Sequence, residues 1–169
     1  ILWQSFDYPT DVLLPGAKFG RDKATGLNRE AISKKSLIDP GLGSYSIELE
    51  ETKGIVLKRR NPLVVYWHWA SSKTSSLSLI PILNSILDLD PRTKGLINTT
   101  YVDNNQEEYY TYTLLDESSS SIFVSLDISG QVKLNIWSQA NQSWQTIYAE
   151  PSDPCTPVAT CGPCMVCDD

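Results

Sequence analysis

Four cysteines crowd the last fifteen residues, at Cys155, Cys161, Cys164 and Cys167, and none precedes them. Within TCGPCMVCDD, the C-G-P-C spacing is that of a dithiol redox centre, and C-x-x-C-x-x-C with Cys155 could furnish four thiolates for zinc. The same residues could open a disulfide framework. Redox chemistry needs the first thiol at the N-terminus of a helix that follows a buried strand, where the helix end lowers its pKa. Met165 to Asp169 are too few to form that helix, and no strand–helix–strand pattern precedes the motif. A structural zinc site is usually built from two C-x-x-C pairs or adds histidine ligands. Paired disulfides are therefore favoured, and no metal or other cofactor is expected.

Other chemistry-bearing residues are sparse. His68 is the single histidine, between Trp67 and Trp69 on a strand-like run. Any nucleophile–histidine–acid machinery would have to pass through it, yet no nucleophile elbow accompanies it. A histidine packed between aromatics is the plainer expectation. Asp88 and Asp90 have the residue types for glycoside hydrolysis, but neighbouring loop acids are usually solvated. Gly41-Leu42-Gly43 lacks the third glycine, lysine and helix of a phosphate loop, and is expected to be a turn. The chain reads as non-enzymatic.

The elements that must position these residues are strands. Ser44–Glu50 alternates, placing Tyr45, Ile47 and Leu49 on one face. A Lys53-Gly54 turn returns the chain through Ile55–Arg60, and after Pro62 comes Leu63–Trp69. Residues 71–97 carry Pro81 and a serine-rich approach, and are expected to form short strands or irregular packing. Glu107–Leu115, Ser121–Asp127, Gln131–Ser138 and Ser143–Ala149 follow at roughly ten-residue spacing with turn residues between them, which indicates an antiparallel all-β fold. Val132, Leu134 and Ile136 should share a buried face.

The 169 residues carry a net charge of −6, with basic pairs only at Lys34-Lys35 and Lys58-Arg59-Arg60. Nucleic-acid binding requires a positive face to displace phosphate counterions, so no nucleic-acid partner is expected. No apolar run has the length of a membrane span. The chain begins Ile1-Leu2-Trp3 without an initiator methionine, which predicts a piece of a longer polypeptide. Two N-x-[ST] sequons, at Asn98 and Asn141, fit a secreted protein with disulfides.

LWQSFDYPTDVLLPG, followed in order by TGLNR, DPGLGSYS, Tyr66-Trp67, EYYTY, LDISG and Asp153-Pro154-Cys155, resembles the extracellular region of plant S-domain receptor-like kinases and S-locus glycoproteins. The resemblance spans essentially the whole chain. It implies bulb-lectin-like (β-prism II-like) antiparallel sheets. Residues 1–20 would end a first bulb-type lectin domain, 21–154 would form a second, lectin-like S-locus glycoprotein domain, and 155–169 would begin an EGF-like module. It also implies a plasma-membrane or secreted location, an extracellular protein, peptide or glycan ligand, receptor dimerisation, and a kinase, where present, beyond this region.

Two site expectations come with the resemblance. The mannose motif of bulb lectins is Q-x-D-x-N-x-V-x-Y, and Tyr101, Asp103, Asn105, Glu107 and Tyr109 share its spacing. Asp103, Asn105 and Tyr109 match, whereas Tyr101 and Glu107 do not, leaving at most a degenerate sugar site. In the EGF-like frame Cys155 pairs with Cys167, and Cys161 awaits a fourth cysteine. Cys164 is extra to the frame, either pairing with Cys161 or remaining a free thiol.

Overall fold

A computed structural model describes residues 8–51, 53–69, 97–115 and 121–152. These form twelve strands: β1 (Val12–Leu13), β2 (Phe19–Asp22), β3 (Asn28–Arg29), β4 (Ala31–Lys34), β5 (Leu42–Glu50), β6 (Gly54–Arg60), β7 (Leu63–His68), β8 (Ile97–Asp103), β9 (Glu107–Leu114), β10 (Ile122–Leu126), β11 (Val132–Ser138) and β12 (Ser143–Glu150). They make three four-stranded antiparallel sheets, ordered β1-β10-β11-β12, β3-β2-β9-β8 and β4-β5-β6-β7. No helix occurs among the described residues, as the all-β expectation required.

Side-chain alternation explains the core. Tyr45, Ile47 and Leu49 project inward from β5, opposite Arg59, Leu57 and Ile55 of β6. They meet Phe19 from the second sheet and Leu126 and Val132 from the first, so all three sheets share one apolar centre. A second cluster joins Ile97 and Tyr112 to Ile122, Leu134 and Ile136. Leu57 is completely buried; truncating such a side chain to alanine typically costs about 2–5 kcal/mol. Polar bonds fasten the sheets as well. The Tyr112 hydroxyl donates to Leu13 O at 2.8 Å, and that of Tyr66 donates to Gly130 O at 2.6 Å. Gly130 has a φ of +84°, and a Cβ there would lie 2.8 Å from the Tyr66 hydroxyl. Only glycine accepts both constraints without strain.

Short polar side chains turn the chain between strands. Asp22 Oδ1 accepts from the amides of Ala24 and Thr25, and Asn104 Oδ1 from those of Gln106 and Glu107, all at 2.8–2.9 Å. Asp39 and Asp127 do the same for the turns that precede β5 and β11. A carboxylate or amide that replaces backbone acceptors lets the chain reverse without losing hydrogen bonds.

The expected strands over residues 44–69 and 107–149 appear within one or two residues of their expected ends, whereas the short strands or irregular packing expected over 71–97 fall, but for Ile97, outside the described residues. β8 was not foreseen. Gly41-Leu42-Gly43 is not wholly a turn, since Leu42 and Gly43 already belong to β5. The boundary expected at residue 20 falls inside β2, and β1 and β2 hydrogen-bond to β10 and β9.

Candidate recognition surface

The nonapeptide with lectin-like spacing folds as a hairpin. Tyr101 and Asp103 lie on β8, Asn105 in the turn, and Glu107 and Tyr109 on β9. Tyr101 faces Tyr110 across the ladder and Asp103 faces Glu108. Glu107 and Tyr109 alternate with those partners and so project from the opposite face of the sheet. The five side chains are thus divided over two strands, a turn and two faces. A bulb-lectin motif needs them to converge from one strand face, and here they do not.

Charge partners from the chain itself occupy this hairpin. Lys18 Nζ donates to both Glu107 carboxylate oxygens at 2.9 Å and stands 4.4 Å from the Tyr109 ring centre. Arg21 grips Glu108 through Nε at 2.8 Å and Nη2 at 2.7 Å. The Tyr101 hydroxyl donates to the same carboxylate at 2.8 Å. Lys23 Nζ bonds to Asp103 Oδ1 and Asn104 O. Burial and then the Glu108 carboxylate push the Tyr101 phenol well above its ordinary value; burial, with Glu108 and Asp103 adding, takes Tyr110 to about 12. Both phenols remain neutral donors. Arg29, almost fully buried, adds positive charge 3.7 Å from Glu107 and 3.9 Å from Asp22. The hairpin is a closed ion-pair network.

The opposite character appears at one end of the β4-β5-β6-β7 sheet. The β4–β5 loop and the β6–β7 turn lie side by side there, because β5 starts beside the end of β6. Leu37, Ile38, Leu42, Leu63 and Val64 are 85%, 95%, 67%, 72% and 48% exposed. Lys34, Lys35, Arg59 and Arg60 border them. Lys34 reaches Asp11 at 3.2 Å, Lys35 reaches Asp39 at 3.0 Å, and Arg60 donates to Gly43 O at 3.2 Å. The sequence signals this surface only through the basic runs Lys34-Lys35 and Lys58-Arg59-Arg60. Register brings the two loops, distant in sequence, to the same end of the sheet; there Leu42 and Leu63 leave by one face, and Val64, opposite Arg59, leaves by the face of Tyr45.

The remaining expected site residues are placed as follows. Asn98 is exposed on β8 and Asn141 is exposed in the β11–β12 turn. His68 is not packed between aromatics; it is exposed on β7, opposite Val56. Cys155, Cys161, Cys164 and Cys167, together with Asp88 and Asp90, lie outside the described residues. Among the described residues no group of three or more histidine, cysteine or acidic side chains is arranged to hold a metal.

Three antiparallel sheets round a shared core, with polar turns between the strands, define an all-β domain consistent with a bulb-lectin fold. Comparison with known families agrees. Residues 83–169 match the S-locus glycoprotein domain and residues 1–35 match the D-mannose binding lectin. A G-type lectin S-receptor-like serine/threonine-protein kinase of Arabidopsis thaliana is 33% identical over the whole chain, which spans 19% of that relative. The related kinase SRK of the same plant is 32% identical over 99% of the chain and 18% of its own length. The S-locus-specific glycoprotein S6 of Brassica oleracea is 32% identical over 98% of the chain, which spans 36% of that protein. The chain belongs to the S-locus glycoprotein domain family.

Proposed function

We propose that this chain is a non-catalytic, extracellular recognition region of an S-locus glycoprotein or S-domain receptor-like kinase. Its ligand is a protein or peptide, bound in pollen recognition or defence-type signalling. The carrying observation is the exposed apolar end of the β4-β5-β6-β7 sheet, bordered by Lys34, Lys35, Arg59 and Arg60. Five exposed large apolar side chains gathered at one end of a sheet are costly in an isolated protein and mark an interaction surface. The cationic border selects a partner with acidic residues around an apolar centre.

The alternative is a mannose-binding lectin using Asp103, Asn105 and Tyr109. The match of residues 1–35 to the D-mannose binding lectin favours it. Against it stand the divided faces of the nonapeptide and the ion pairs that occupy its carboxylates. A hexose would have to displace Lys23 from Asp103 and Lys18 from Tyr109.

The test is expression of the full-length protein in plant cells that respond to pollen-coat or microbial extracts. The expected result is a surface-exposed or secreted glycoprotein whose response is lost in Leu37→Ser/Ile38→Ser/Leu63→Ser, with its abundance outside the cell unchanged. Cytosolic retention, or an unaltered response in the triple variant, contradicts the proposal.

A further inference from the structure

We infer that an N-linked glycan on Asn141 lies against an aromatic platform on the outer face of the β1-β10-β11-β12 sheet. Val132, Leu134 and Ile136 of β11 face the core, so Lys133, Asn135 and Trp137 face outward. The ladder sets Phe123 opposite Asn135, and Trp137 opposite Trp144. Phe123, Trp137 and Trp144 therefore share that outer face. Trp144 stands edge-on to both others, its ring centre 4.6 Å from Phe123 and 5.5 Å from Trp137. It is nonetheless 47% exposed. An indole in this setting presents apolar area that the polypeptide leaves uncovered.

The floor beside it is polar and fixed. Asn135 donates to Ser125 Oγ at 3.0 Å and accepts from Thr146 Oγ1 at 2.9 Å. A pyranose needs this pairing of surfaces, with its C–H face on an aromatic ring and its hydroxyls near hydrogen-bonding groups. Ser125 and Thr146 keep acceptor lone pairs beyond these bonds.

The occupant is given by the turn. Ser138 pairs with Ser143, closing the ladder around residues 139–142, and Asn141 and Ser143 are both exposed. Asn141 is three residues from Trp144, a span of at most about 11 Å. The first sugars of a glycan there would reach the platform. In the transfer step Asn141 Nδ2 forms a bond to C1 of the first sugar of a lipid-linked oligosaccharide. The lipid diphosphate leaves and the amide loses one proton. Asn98 supplies the contrast. It pairs with Thr113, and its same-face neighbours are Thr100 and Thr111; the aromatic of that face, Tyr109, stands opposite Val102, four residues further along β8, with Lys18 Nζ 4.4 Å from its ring centre.

The inference rests on the secreted location proposed above, and Asn98 reports on that location separately. The experiment uses the secreted full-length ectodomain, with glycopeptide mass spectrometry and thermal unfolding before and after peptide-N-glycosidase A treatment. Both sequons are expected to carry glycan. In an Asn98→Gln background, deglycosylation should lower Tm by about 2–4 °C, and by nearly nothing when Trp144→Ala is added. In an Asn141→Gln background, removal of the Asn98 glycan should act equally with or without Trp144→Ala. A bare Asn141 beside a glycosylated Asn98 overturns the inference and leaves the secreted location standing, whereas two bare sequons overturn both. Equal Tm losses in the Asn98→Gln protein with and without Trp144→Ala also overturn it. So does binding of free chitobiose to the platform of the fully glycosylated protein, because that shows the face to be open.

Discussion

The β8–β9 hairpin and the far end of the β4-β5-β6-β7 sheet both present functional-looking residues, and they differ in what those residues already touch. The hairpin carries three residues of a sugar motif, yet Lys18, Lys23 and Arg21 have claimed its charged groups, and its side chains leave by two faces. The loop end carries no motif, yet its apolar side chains meet water, with Lys34, Arg59 and Arg60 opposite Leu42, Val64 and Leu63 across the ladder. A motif is a statement about residue types at a spacing. A site additionally needs one face and free bonding capacity. The hairpin keeps the first and lacks the second.

The largest way to break this contrast is at Gly20. A Cβ there would lie 2.1 Å from Glu108 O and 2.6 Å from Tyr109 Cα, so the β2–β9 pairing could not survive a side chain. Gly20→Ala is expected to cost more than about 4 kcal/mol and to release the Lys18 and Arg21 ion pairs together, read by denaturant unfolding. Glu108→Gln removes the negative charge and one of the two carboxylate oxygens that Arg21 and Tyr101 use. It should cost about 2–3 kcal/mol in the same measurement. Lys23→Ala breaks an exposed pair and should cost no more than about 1 kcal/mol. A similar cost for the last two would mean that the hairpin is not organised around Glu108.

Asp127 lies on neither surface and calibrates both. Burial opposes its ionisation, but hydrogen bonding and ion pairing with Lys133, and a hydrogen bond from Ser129, hold its carboxyl below the ordinary carboxylate range. The unfolded chain therefore binds more protons in acid than the folded one. The stabilisation is complete above the ordinary range and disappears as pH falls through the folded value. Wild type should lose no more than about 1 kcal/mol relative to Asp127→Asn between pH 7 and pH 3. Urea unfolding at the two pH values checks this. The smallest effect belongs to the loop end, where Leu37→Ser and Ile38→Ser should change stability by less than about 0.5 kcal/mol while removing the cellular response.

The contrast also explains what the sequence could disclose. β5 and β11 are legible because apolar buried residues alternate with polar ones, so the period survives in the text. β8 was missed because Asn98, Thr99 and Thr100 interrupt its apolar period, although Ile97, Thr99, Thr100 and Val102 are the β-branched residues a strand prefers. β1 and β3 contain two residues each, too few for any period. Asn135 alternates with the apolar face of β11, yet it is buried, and its partners Ser125 and Thr146 come from two other strands. The loop end depends on residues 37–42 and 63–64 meeting across β5 and β6, which register decides and composition does not. The ordered family motifs identified the relatives because they record shared turns and core positions. They said nothing about which surface is open.

Retention on mannose-agarose tests the central contrast most directly, using the secreted glycoprotein and its Asn105→Ala variant under free-mannose competition. The closed hairpin predicts no mannose-competed retention of either protein. Clear retention of the wild type that is competed by mannose and lost in Asn105→Ala would contradict it.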